Sequence, residues 1–179
     1  MAVSERYKER YEIINGETVM MAPPAMVHQD VSSNIVSIFK IYLKGKVCRA
    51  YGDNTLVKLD DENQFMPDAM IVCDWSKINK TYIKGAPDLV VEILSPSTAK
   101  VDRTSKLEAY GKAGVKEYWI VSPLEEIVEV YYQNDGRLIL SEVYSIDENG
   151  PDAEIKVSLY DDLFIKLEDV FDTYMKHCK

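Results

Sequence analysis

The run Leu89-Val90-Val91-Glu92-Ile93-Leu94 places a carboxylate inside a segment that otherwise reads as a strand buried on both faces. Ser95-Pro96-Ser97-Thr98 breaks that strand, and a helical stretch from about Asp102 to Ala113 follows, closed by Gly114 as its C-cap. Glu117–Val121 then returns as a second strand, stopped by Pro123. Strand, helix and strand in this order need a crossover, which lays the two strands parallel. The fold must therefore contain a sheet with covered central strands, and Glu92 must sit inside it. A glutamate there has to be paired, protonated or bound to a cation.

The rest of the chain supplies the partners. Tyr11–Ile14 and Glu17–Met21 flank Asn15-Gly16, the preferred pair for a type I′ turn, and predict a hairpin. Val27, Val31, Ile35, Ile38 and Tyr42 recur at steps of four and three, so residues 27–44 read as an amphipathic helix ended by Gly45. Short strands are expected at Val47–Tyr51, Thr55–Leu59 and Ala69–Cys73, with a turn at Asp60-Asp61-Glu62-Asn63. Ile127–Tyr132 and Leu138–Tyr144 form a second hairpin around Asn134-Asp135-Gly136, and a strand region near Ile155–Ile165 precedes a short terminal helix. No repeat or low-complexity tract interrupts this order, so a single α+β domain spanning residues 1–179 is the expectation.

Charge narrows the classes further. The net charge of −9 argues against a protein that merely coats nucleic acid. It is unevenly spread: residues 76–123 hold 8 basic and 5 acidic side chains, whereas residues 124–179 hold 5 and 14. The middle is locally basic, and Lys77, Lys80, Lys84, Lys100 and Arg103 are its candidates for contact with a phosphate backbone. No apolar run approaches the roughly 20 residues of a membrane helix, and the opening residues are too polar for a secretory signal. Cys48, Cys73 and Cys178 form no C-x-x-C pair and cannot all be bonded within the chain, which fits a reducing cytoplasm. With only His28 and His177, a histidine-rich zinc site is not expected. Gly-rich phosphate loops, H-E-x-x-H and G-x-S-x-G are all absent.

What remains is a set of carboxylates. Asp68 opens an apolar strand after Pro67, and Glu92 lies within the next. A structural ion pair of Glu92 with Lys106 or Arg103 is one account. Asp68 and Asp88 each follow a proline, which is ordinary turn chemistry. Lys106 stands four residues after Asp102, as a surface helical pair would. His28 sits in the first turn of the first helix, with no role assigned by spacing alone.

Taken together, these residues resemble a known family. Pro67-Asp68, the run Pro87–Thr98, then Asp102, Lys106, Tyr110 and Gly114–Val121 are similar to the Uma-two family of endonucleases. That family is a branch of the PD-(D/E)XK restriction-endonuclease-like superfamily. Tyr11–Glu17 and Pro23-Pro24…His28 match the family's opening, and the likeness weakens after about residue 135. The resemblance implies a central mixed sheet flanked by helices, with acidic metal ligands on adjacent strands. Asp68 corresponds to the first acidic ligand and Glu92 to the second. The superfamily's usual lysine position is Leu94 here, and Lys106 on the following helix takes its place as the candidate. Glu17 matches a glutamate after the family's first turn and is a further candidate ligand.

The implied activity is hydrolysis of phosphodiester bonds in DNA with magnesium, manganese being a second possible ion. Magnesium prefers hard oxygen ligands, so two carboxylates and the Ile93 carbonyl would suit it. A neighbouring lysine would orient the attacking water and offset charge building on the phosphate. One site per chain favours a homodimer for double-strand cutting. Two other classes stay open: a nuclease-like protein that binds or assembles without cutting, which Leu94 and the acidic balance favour, and a small-molecule hydrolase built on the same carboxylates.

Overall fold

The computed structural model describes residues 10–177. Its strands in chain order are β1 (Tyr11–Ile14), β2 (Glu17–Met20), β3 (Arg49–Gly52), β4 (Leu56–Lys58), β5 (Gln64–Phe65), β6 (Ala69–Val72), β7 (Tyr82–Lys84), β8 (Leu89–Ile93), β9 (Glu117–Ser122), β10 (Ile127–Asn134), β11 (Arg137–Ser145), β12 (Glu154–Lys156) and β13 (Phe164–Lys166). The helices are α1 (Met26–Tyr42), α2 (Ala99–Val101), α3 (Leu107–Ala113), α4 (Ile146–Asn149), α5 (Leu167–Val170) and α6 (Tyr174–His177). The fold is α+β, built on mixed sheets with several helices.

A six-stranded sheet in the order β11-β10-β9-β8-β6-β3 forms the centre. Strands β8 and β9 are parallel, as the crossover requires, and the other neighbours are antiparallel. Side chains alternate along a strand. Leu89, Val91 and Ile93 of β8 join Trp119 and Val121 of β9 in a core roofed by Val31, Ile35 and Phe39 of α1. Val90, Tyr118 and Ile120 face the other way, into a core completed by Tyr110 of α3 and Phe65 of β5. Gly52 permits the close approach of α1, since a Cβ there would lie 2.9 Å from Val36 Cγ2.

A second sheet, β2-β1-β5-β4-β7, covers part of the second face. The β1–β2 hairpin turns on Asn15 and Gly16, both at positive φ, as its sequence predicts. Strands β5 and β7 are two and three residues long, too short for any periodicity to reveal. The helix expected from Asp102 begins earlier, at Ala99. It runs through one π turn, Asp102–Lys106, before α3, and Gly114 caps it at φ 93°.

Cys48 and Cys73 are joined by a disulfide. Their spacing gives no hint of this: the β3–β6 register, in which Arg49 faces Val72, brings them opposite one another. Among the described residues, no helix is long and apolar enough to cross a membrane.

Candidate active site

Carboxyl groups gather where β8 ends and β6 begins. Ala69 pairs with Val91, and one further step of the same register sets Asp68 opposite Glu92. The two therefore share a face of the sheet, the face toward α2 and α3. Asp68 Oδ2 accepts from the Ile93 amide at 2.7 Å and lies 3.3 Å from His28 Nε2. Burial lowers the His28 pKa, but the hydrogen bond and charge of Asp68 outweigh it and leave it raised.

Glu92 is 3% exposed. Its Oε1 accepts from the Tyr110 hydroxyl at 2.8 Å and lies 3.2 Å from Lys106 Nζ. The ammonium also stands 3.0 Å from Glu12 Oε2 and 3.5 Å from Asp102 Oδ1. Beneath it, Phe65 and Tyr110 form an edge-to-face pair, with Nζ 5.6 Å from the Phe65 centroid. Glu12 Oε1 is held by the Met66 amide at 2.8 Å. Three carboxylates are thus anchored through one oxygen each by a backbone N–H or a buried phenol, an arrangement that fixes their orientation.

Four carboxyl groups, Glu12, Asp68, Glu92 and Asp102, share this buried region with one ammonium, and the imbalance governs its electrostatics. Burial pushes the Glu92 pKa well up; Lys106 opposes this, and the charges of Asp102, Asp68 and Glu12 add to it. Asp102 is raised by burial against the same opposing lysine. Lys106 is itself raised, because its carboxylate neighbours outweigh a burial effect that would discharge it. Asp102 Oδ1 is buried without a hydrogen bond. Such a donor set, all hard oxygen with an excess of negative charge, fits a divalent cation in kind. Among the described residues, no three His, Cys, Asp or Glu side chains already form a cage for one; the Lys106 ammonium stands between Glu12, Glu92 and Asp102.

The sequence-predicted residues are only partly brought together. Asp68, Glu92 and Lys106 meet, with Ile93 beside them through its amide. Glu17 does not join them: it is exposed at the turn end of β2, and Glu12 of the same hairpin enters instead. The expected surface pair of Asp102 and Lys106 is buried, at 1% and 3% exposure, because the π turn directs both side chains inward. Arg103 points away from Glu92 and pairs with Glu129. Glu12, His28 and Tyr110 went unassigned in the sequence reading. The alternation of Glu12 with the buried Ile14 is the signal that could have found the first. Leu94, at the superfamily's usual lysine position, packs half-buried against the second core.

The family model for Uma2, described as "Putative restriction endonuclease", matches residues 2–163. The chain belongs to the Uma2 family. It is similar to the crystal structure of a putative nuclease of the DUF820 group from Anabaena variabilis, with a TM-score of 0.71 and 26% identity over 90% of this chain and 89% of that one. Two uncharacterized proteins from Synechocystis sp. are also similar. One is 29% identical over 73% of this chain and 70% of its own length; the other is 26% identical over 86% and 87%.

Proposed function

We propose that this Uma2 chain is a single nuclease domain, residues 1–179, that hydrolyses phosphodiester bonds in DNA with magnesium or manganese. The buried excess of carboxylates over cations, built around Glu92 on a central strand, carries the reading. His28 answers Asp68, and burial raises the pKa values of Glu92 and Asp102, yet four acids still crowd around one lysine, a donor set that a divalent cation would complete.

Asp68 and Glu92 would hold the metal, with the Ile93 carbonyl as a third oxygen. A bound ion would acidify a water and draw charge from the scissile phosphate. The remaining work falls to the chain. His28 and the Ile93 amide fix one oxygen of Asp68 and leave the other free to bind. Tyr110 does the same for Glu92. Lys106 presents a permanent positive charge beside both, placed to orient the attacking water and to offset charge developing on the phosphate. Glu12 and Asp102 steer that ammonium.

The reading takes the protein as cytoplasmic, where Cys48 and Cys73 would stand as thiols, and as a homodimer presenting one site to each DNA strand. The Cys48–Cys73 pair lies at the opposite end of β3 and β6 from Asp68, so its state leaves the site's backbone anchors in place. The test is incubation of circular and linear DNA with magnesium or manganese, with Asp68→Ala as control. Nicking or linearisation by the wild type alone is expected. No cleavage by the wild type under either ion would replace this reading with that of a binding protein.

A further inference from the structure

A second surface, at the far end of α1 from His28, has a different character. Residues 31–52 contain no acidic side chain and four basic ones, Lys40, Lys44, Lys46 and Arg49, in a protein of net charge −9. The helix carries Lys40 roughly 18 Å along its axis from His28, at about 1.5 Å per residue. An open depression there is lined by Lys40, Leu43, Lys44, Gly45, Arg49 and Ala50. Among the described residues, none of the four cations makes an ion pair, although the molecule pairs many of its other lysines and arginines.

An aromatic face borders the depression. The Arg49 guanidinium stacks over the Trp75 ring at 4.8 Å. Trp75 remains 56% exposed, and Val47 beside it 67%. This tryptophan is held in place: its Nε1 donates to the Val47 carbonyl at 2.7 Å, and the short 3₁₀ turn carrying it, Trp75–Lys77, is capped by Asp74. Arg49 is likewise fixed, donating to the carbonyls of Lys46 and Cys48. The β3–β6 register, in which Arg49 faces Val72, brings together the two segments that carry Arg49 and Trp75. Leaving an indole in water costs solvation, and pinning it there with an arginine on it gives nothing back to the core. Lys46 lies over the Tyr42 ring at 4.1 Å, and a surface of such cations without ion-pair partners, beside a pre-positioned indole, is suited to a polyanion with flat faces to stack.

We propose that this surface binds single-stranded nucleic acid at a distance from the catalytic cluster, with the lysines and Arg49 on the phosphates and Trp75 under an unpaired base. The choice of nucleic acid among polyanions rests on the nuclease reading; the surface does not. Cations tracking a backbone beside an aromatic platform are the usual means of holding a single strand. Duplex DNA, whose bases are already stacked, gains only the charge contacts.

Fluorescence anisotropy of a labelled DNA oligonucleotide, single-stranded or as a duplex, tests this in chelator so that nothing is cut. The wild type should prefer the single strand, and its exposed indole fluorescence should be quenched on binding. Lys40→Glu/Lys44→Glu should weaken single-strand binding at least tenfold and flatten its salt dependence by about 1.4 in log–log slope, near 0.7 per lost contact. Trp75→Ala should cost roughly tenfold on the single strand and little on the duplex. Equal affinities across these variants would overturn the proposal, as would dextran sulfate binding equally well and indifferently to Trp75→Ala. Self-association of the wild type that Lys40→Glu/Lys44→Glu abolishes, without change in DNA affinity, would assign the surface to a second copy and overturn it too. Asp68→Ala should bind the oligonucleotide as the wild type does. Binding that depends on the surface in a protein that never cuts would sink the nuclease reading alone.

Discussion

Glu92 and Glu117 stand on adjacent parallel strands, and both are buried, at 3% and 0% exposure. They differ in what surrounds them. Glu117 faces the α1 side of the sheet, where Trp119 Nε1 donates to it at 2.7 Å and Ser158 donates through its amide at 2.8 Å and its hydroxyl at 2.5 Å. Three neutral donors and no charged neighbour make it a latch, holding the segment after β12 against the sheet. Burial raises its pKa, and the Ser158 and Trp119 hydrogen bonds oppose the rise. Glu92 faces the other side, toward one phenol, one ammonium and three more carboxyl groups. The first arrangement is closed, with its acceptors answered inside the protein. The second crowds acids together with too few cations to answer them all, and that crowding, more than burial itself, distinguishes Glu92 from Glu117.

The sharpest attempt to break this contrast is Lys106→Ala. Loss of one contact that stabilises charge in the transition state should lower DNA cleavage by about 10²–10³, measured by plasmid nicking on protein with a native circular dichroism spectrum. Wild-type rates would demote the lysine to a structural counter-ion. Glu92→Gln should come next. At a magnesium concentration a hundred times its dissociation constant, the wild type should gain about 2.7 kcal/mol of stability, read as a rise in Tm, and the variant should lose that gain. Glu117→Gln should leave it intact.

Glu117→Ala should cost about 1–3 kcal/mol in urea unfolding, because it strands buried donors on Trp119 and Ser158, with cleavage per folded molecule unchanged. The smallest effect is on pH dependence. The raised pKa of Glu117 means that the native state holds a proton the unfolded chain has released. Its contribution to stability is therefore present below the unfolded value near 4.5 and fades as pH rises through the native value. Tm measured across that window should fall less steeply with pH in Glu117→Gln than in the wild type. Parallel slopes would show that the latch carries no proton of its own.

Much of the fold was legible because alternation and turn chemistry act locally. The β8–helix–β9 crossover, the Asn15-Gly16 hairpin and α1 each follow from residues within a few positions of one another. The small sheet was not legible, since β5 and β7 owe their existence to β4, which pairs with both. The same divide runs through the site. Asp68, Glu92 and Lys106 could be named from pattern and resemblance. Alternation along β1 marks Glu12 as inward-facing, but only the pairing of β1 with β5 brings it to Lys106, 94 residues away. Glu17, offered by the resemblance as a further candidate ligand, stands exposed on β2. The Cys48–Cys73 contact was hidden for the same reason, being a property of strand register.

The π turn at Asp102–Lys106 gives the helix one residue more than a regular α-helix would hold over the same length. Each residue of an α-helix turns the chain by about 100°. Removing a single residue between Thr98 and Asp102 would leave composition almost unchanged, yet it would swing Lys106 a quarter-turn or more off the carboxylates. Substitutions elsewhere on the helix's outer face leave that aim untouched. The cluster is thus specified by counting as much as by chemistry, and among descendants of this chain the length of this one helical turn should be far more tightly held than the identity of its exposed letters.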